Sequence, residues 1–442
     1  MRMLNHPLKL WILSIMYACF MIGFGALLSG LIFLSHDELG LSINNAVNFF
    51  ATFTSLAFTL TLIGGWVCDI FSFRSAAIIG NIICFIGVLI LSFASKNNLY
   101  FLYIGISLFL GGNTLCTPAI WSLVSSCYKK EDPRHDAGSS IFYIIFNIGA
   151  VISIIIISYL STYYGFTTCF FYISYTFLFA SLIGIFFPIS DEKLISIKAF
   201  KSHFFILISA IIFSTICMLL LYYTRANISI MLFLATSTLL YLFINKKSFT
   251  PIESSKVNAF ISLCFIGIFY LIVYNSELSV LPIFSEYGAN LHVFSINFNP
   301  SIIISLDGFG VITIGLIFAW LWIYLGERNK NPSIITKFSI GIILAGVGFL
   351  ILALIIFAYT GKKISFYWLI LAFAFFTAAE MLVAPIGIAM VDTLSPKGYT
   401  GVCMGVWTLA AGSSAIIAGH ISDLINIQPS MTEVGEFLRT VI

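Results

Sequence analysis

The chain has 442 residues, a formal charge of +3, and 45 phenylalanines against 21 Lys and Arg and 18 Asp and Glu. A water-soluble chain of this length could not hide so much apolar surface, because even a large globule is faced with polar and mixed side chains. The sparse, scattered charge leaves no basic domain for nucleic acid, and the nine cysteines show no paired spacing for disulfides or zinc.

Apolar runs recur along the chain, each near the roughly 20 residues a helix needs to cross about 30 Å of hydrocarbon. They lack the alternation of barrel strands, as 204–218 and 311–325 show. The expected fold is all-α and polytopic, with about thirteen spans: 10–34, 46–68, 75–95, 99–124, 138–160, 168–188, 203–223, 228–244, 257–283, 299–325, 334–358, 364–392 and 400–424. They divide into an N-terminal six-helix bundle (1–188), linkers around an inserted helix pair (189–256), and a C-terminal bundle of five helices plus a short tail (257–442).

Arg2 and Lys9 precede the first run, and no small-residue cleavage site follows promptly, so a retained span is expected rather than a signal peptide. The second span closes on Gly64-Gly65-Trp66-Val67-Cys68-Asp69, with Arg74 five residues on. The glycines permit close helix approach, and Asp69 can accept from N–H groups at the start of the next helix. Asp69 and Arg74 are thus candidates for a conformational latch, with a plain structural loop as the alternative. In the fourth span Asn113 and Thr117 share a face just before Pro118. In the fifth, Tyr143 and Asn147 stand four apart, so hydroxyl and amide can look into one space. They read either as cavity-lining groups or as interhelical bonds.

Charge within a span costs about 2.5 kcal/mol or more at its centre, so each such residue needs a reason. Glu277 follows Tyr274-Asn275-Ser276 in the outer half of the ninth span, where a face lining water or a structural network would account for it. Asp307, before Gly308 and Gly310, is a possible gate or a packing residue near the outer mouth. Glu380 is the sharpest case: it lies mid-span, shares its helix with no Lys or Arg, and stands five residues before Pro385. It reads as a contact for a substrate amine or as a proton-carrying carboxyl, the alternative being a protonated structural group; Glu277 is the second proton-coupling candidate. Gly401-x-x-x-Gly405, Trp407 and Gly412 look mainly like packing chemistry, with Trp407 able to bound a site.

With the N-terminus in the cytoplasm, Lys and Arg divide sixteen inside to five outside, the expected bias. An odd span count then places the C-terminus outside, and the charged stretch 427–442 is too short to cross. The six histidines occupy termini, loops or helix ends, and no phosphate loop or dinucleotide fingerprint occurs. Enzyme chemistry is not expected. No cofactor and no obligate protein partner is indicated; secondary transport of a small solute across a bilayer is.

The stretches Gly64–Arg74, Phe142–Ala150 with Arg134 ahead of it, Asn299-Pro300, and Glu380–Met390 followed by Gly401–Trp407 together resemble the proton-dependent oligopeptide transporter family of the major facilitator superfamily. The fifth-helix stretch matches the family's Phe-Tyr-x-x-Ile-Asn-x-Gly signature, except that Phe146 replaces isoleucine. The resemblance implies two six-helix bundles around a midplane cavity, an inserted helix pair, and proton-coupled import of di- and tripeptides across a bacterial inner membrane. It implies that Glu380 meets the peptide's amino end, that Tyr143 and Asn147 touch its backbone, and that Trp407 packs nearby; Asn275, beside Glu277, is a further substrate-binding candidate. Three departures stand against it. Met16, Cys19 and Phe20 occupy the first helix's Glu-x-x-Glu-Arg positions, Thr117 replaces the fourth-helix lysine before Pro118, and a final core helix is missing. Both basic groups for a carboxylate terminus are therefore absent, and the ligand could equally be an amine, amide or cationic metabolite. A non-transporting membrane scaffold or sensor is the reading from another class.

Overall fold

The computed structural model describes residues 6–128, 132, 134–190, 197–222, 244, 249–293, 296–297, 302–359 and 363–424. Twelve long or paired helical elements follow the apolar runs. They are α1 (Leu8–Phe33), α2 (Ile43–Thr59), α3 (Thr61–Ile70), α4 (Phe73–Leu91), α5 (Tyr100–Ser125), α6 (His135–Phe186), α7 (Ile197–Tyr222), α8 (Pro251–Gly288), α9 (Ile302–Gly326), α10 (Ile334–Ala358), α11 (Phe366–Leu394) and α12 (Thr400–Leu424). Among the described residues, eleven helical spans are long and apolar enough to cross a membrane. Four two-residue strands, β1 (Ala289–Asn290), β2 (His292–Val293), β3 (Ile296–Asn297) and β4 (Ile364–Ser365), pair β1 with β4 and β2 with β3.

Several boundaries differ from expectation. The second span is two helices, α2 and α3, meeting at Leu60. The fifth and sixth spans are the two limbs of α6, separate membrane-crossing segments that turn at Gly165, whose φ of 77° a side chain rarely tolerates. A π-helical turn, Leu34–Glu38, prolongs α1 so that the Glu38 carboxylate accepts from the Phe166 and Thr167 N–H groups just past that break. A carboxylate at a helix start is favourable, because it faces unpaired N–H groups and the positive dipole end. The helix expected at 228–244, the Asn299-Pro300 pair and the tail 427–442 lie outside the described residues, and so does any further core helix after α12.

Helices α1 to α6 pack chiefly on one another, with α1 against α6 and α4 against α5, while α7 leans on α5 from outside. Small residues set the distances. A Cβ at Gly111 of α5 would fall 2.1 Å from Ser214 Oγ of α7, and one at Gly87 of α4 would fall 2.6 Å from the Phe109 nitrogen of α5. Helices α8, α10, α11 and α12 form a second packed group, and α9, α11 and α12 also meet the first group through α6, α5 and α3.

That meeting is tightest at the end of the bundle where α1 begins. A Cβ on Gly65 would fall 2.0 Å from the Gly401 carbonyl oxygen, and one on Gly405 would fall 2.4 Å from Leu62 Cα. The backbones of α3 and α12 therefore touch directly. Asp69 caps α12, accepting from the Gly401 and Val402 N–H groups at 2.8 Å each. This corrects the expected partner, since the helix it caps is not α4 but one 330 residues further along. Arg74, the other half of the expected latch, is buried at this end. It reaches across to the last turn of α6, donating to the Gly184 and Phe187 carbonyls at 3.2 and 3.1 Å. The same end holds an Asp136–Lys337 ion pair of 2.5 Å between α6 and α10, with Lys337 also 4.2 Å above the Trp322 ring.

Just outside the spans there, His6 Nδ1 and the Tyr128 hydroxyl share a bond of 2.5 Å. Burial lowers the imidazole's pKa, and the Arg134 charge lowers it further. Asp132 is held below the usual carboxylate range by hydrogen bonds from Arg134.

Candidate functional site

A cavity of about 270 Å³ opens between the two helix groups. Tyr143 and Asn147 of α6 line it together with Asn275 of α8 and Trp407 of α12. Helical spacing explains the pairing of Tyr143 with Asn147, because residues four apart lie on one face. The Asn147 side chain donates to the Tyr143 carbonyl at 2.9 Å, while Asn275 donates to the Leu271 carbonyl at 2.8 Å and to Ser414 Oγ at 3.0 Å. Trp407 lies in a slot made by glycines: a Cβ at Gly387 would stand 2.1 Å from its ring and one at Gly267 2.8 Å. Asn113 and Thr117 of α5 also line the space, Thr117 donating to Asn113 Oδ1 at 2.8 Å and Asn113 to the Ala57 carbonyl at 2.7 Å.

Proline positions shape both walls. Pro118 has no N–H for the Thr114 carbonyl, and Gly64 of α3 packs straight over that freed oxygen. Pro385 likewise leaves the Met381 carbonyl without its helical donor, one residue past Glu380.

Glu380 does not line the cavity. It is 1% exposed and stands one layer back, where the Tyr143 hydroxyl donates to its Oε1. The expected direct contact is corrected in this respect: the ring of Tyr143 separates the carboxylate from the open space. That bond joins α6 of the first helix group to α11 of the second. Asp307 is buried beside Glu380, accepting from the Tyr274 hydroxyl at 3.4 Å, rather than near an outer mouth. Glu277 is 2% exposed and lines no water-filled face; it stands within electrostatic reach of both other acids. Glu380 and Asp307 are in hydrogen-bond contact with each other, while Glu277 Oε1 and the Tyr270 and Thr377 hydroxyls are buried without a hydrogen-bond partner. Among the described residues no group of acids, cysteines and histidines is arranged to hold a metal ion.

Sequence reasoning did not single out the rest of the lining. Tyr17, Phe24, Trp121 and Phe146 form an aromatic wall on α1, α5 and α6, and Tyr274 and Thr408 face it from α8 and α12. In a chain with 45 Phe, 20 Tyr and 7 Trp, nothing in the spacing separates a cavity ring from a core ring. The three first-helix departures are packed away. Phe20 is stacked among Tyr17, Phe24, Phe109 and Phe177, and Met16 is fully buried near Gly184, while Cys19 is half-buried.

The sequence profile of the POT family matches residues 74–437. Over 421 residues the chain is 27% identical to dipeptide and tripeptide permease B of Aliivibrio fischeri (strain MJ11), spanning 90% of this chain and 84% of that protein. It is 26% identical over 412 residues to the uncharacterized transporter YclF of Bacillus subtilis (strain 168), spanning 90% and 82%. A solved POT family transporter in complex with a thioalcohol conjugated peptide shares the fold, with a TM-score of 0.73 over 99% of this chain and 94% of that one, at 23% identity. A profile match over most of the length, on a helical membrane fold shared with solved members, makes this chain a member of the POT family.

Proposed function

We propose that this protein is a secondary transporter that imports di- or tripeptides, or a closely related small solute, by alternating access with protons as the coupling ion. The observation that carries the reading is the cavity at the seam of the two helix groups, with Tyr143 and Glu380 bonded across that seam directly behind its wall. The permease relatives and the peptide-bound POT structure support the solute class. In this reading the glycine seam, the Asp69 cap and the Asp136–Lys337 pair close the cytoplasmic end. The positive-inside bias supports that assignment and a cytoplasmic N-terminus in a bacterial inner membrane.

Coupling follows from the position of Glu380. As a carboxylate it accepts the Tyr143 hydroxyl and holds the halves together at mid-depth. Once it takes a proton, or a substrate amine competes for it, that link changes and the bundles are free to part. Asp307, in hydrogen-bond contact with Glu380, can hand on a proton, and Glu277 stands within electrostatic reach. In proteoliposomes, a labelled dipeptide should accumulate when the outside is made acidic, and Glu380→Gln should abolish accumulation while leaving the melting temperature near wild type. Absence of uptake by the wild-type protein under both gradient directions would sink the reading.

A further inference from the structure

We infer that the cavity selects compact amines that carry no free carboxylate, such as C-terminally amidated dipeptides and aromatic aminoacyl amides. The inference rests on the transport reading only in taking this cavity as the place where solute binds.

Among the described residues the lining carries neither a basic nor an acidic side chain. One layer behind it Glu380, Asp307 and Glu277 are gathered, Glu380 and Asp307 in hydrogen-bond contact with each other and Glu277 Oε1 buried without a partner. The Tyr270 hydroxyl lies in the same neighbourhood and is also unpartnered. An ammonium entering beside Tyr143 would meet the faces of Tyr17, Trp121 and Phe146, which attract cations, with the Tyr143–Glu380 pair behind them. A carboxylate would lose its hydration with no cationic side chain on the lining to replace it.

The neutral polar groups point the same way. Asn113, Asn147 and Asn275 each commit amide N–H to an oxygen of the protein, and the Thr117 hydroxyl is spent on Asn113. The wall therefore offers a solute neutral donors and acceptors, the Trp121 Nε1–H among the former, and no cation to pair with a carboxylate. The volume of about 270 Å³ lies just below the usual lower limit of about 300 Å³ for small-molecule sites, so the solute must be short.

The test is equilibrium binding to the purified full-length protein at one fixed pH, using phenylalanyl-alanine, its C-terminal amide, and the N-acetylated amide. The amide should bind about tenfold more tightly than the free acid, and acetylation should remove about the same factor, as expected for a buried charge with and without its partner. Thr117→Lys, which puts an ammonium on the lining, should reverse the preference toward the free acid while the protein keeps its melting temperature. Equal or tighter binding of the free acid, undiminished binding of the acetylated amide, or no binding of any of the three overturns the inference. An unchanged ratio in Thr117→Lys overturns it as well. If the amide binds as described but is never carried into proteoliposomes, the transport reading falls and the selectivity stands. If the free acid is both preferred and transported, the reverse holds.

Discussion

Tyr143 and Glu380 are joined by one hydrogen bond whose ends belong to different helix groups, so each residue has a separable role. Tyr143→Phe keeps the ring that lines the cavity and removes only the hydroxyl. Glu380 Oε1 would then be a buried oxygen without its donor, a cost of about 1–3 kcal/mol. The expected outcome is uptake reduced roughly tenfold with binding of an amine solute retained, read by parallel uptake and binding measurements. At the edge of the bundle, His6 gives a pH-dependent contact. Its imidazole is held below its ordinary pKa, so the buried neutral form is favoured, and acidification toward and below about pH 6.5 charges it and weakens the docking. Hydrogen exchange near residue 6 should therefore speed up on moving from about pH 7.5 to 5.5 beyond the intrinsic change, and His6→Phe should remove that dependence. The acids were legible in the sequence because a carboxylate in an apolar run is conspicuous on its own. Their depth was not, because helical spacing fixes which residues share a face but not which ring stands in front. Tyr17, Trp121 and Tyr274 escaped notice for a related reason: an aromatic side chain fits a core, a lipid surface and a binding wall equally well.

At the level of whole elements, the approach of α3 to α12 is set by glycines that leave no space for a side chain. Gly401→Val would force these helices apart by the width of the added group, since the Gly65 carbonyl cannot yield as a flexible side chain would. The closed end should loosen, seen as faster labelling of buried Cys403 by a water-soluble maleimide in inside-out vesicles. The Asp136–Lys337 pair acts at the same end by charge. Asp136→Asn leaves the Lys337 ammonium 1% exposed without its carboxylate, which costs about 3–5 kcal/mol and should lower the melting temperature sharply. Exchanging the two residues should recover much of it; a double exchange as unstable as the single change would show that the pair is not the cause. The sequence did reveal the glycine pattern on both helices. It could not say that they were partners, because a small residue announces a close approach without naming the surface that arrives.

For the molecule as a whole, hydropathy located the spans well because a bilayer forces every crossing segment to satisfy its own backbone bonds. The mergers and breaks were less visible. The turn between the fifth and sixth spans is made at one non-helical residue, Gly165, and α2 gives way to α3 within one span, since both depend on a few dihedral angles rather than composition. The sidedness proposed for the bundle follows from charge alone and is open to a direct check. Reporter fusions in the 327–333 and 395–399 loops should behave as cytoplasmic, and fusions in the 93–98 loop as external. An inverted pattern would turn the closed end toward the other compartment and make the proposed import an export.

The Glu38 carboxylate, fastened to the start of the limb beyond Gly165, has a mechanical consequence. It pins the tip of α1 to the hairpin of α6, so these three rods turn about one pivot instead of sliding past each other. Any swing of that tripod is delivered undiminished to Tyr143, which rides on its middle. A distant acid at the rim thereby decides how far the phenol can travel from Glu380.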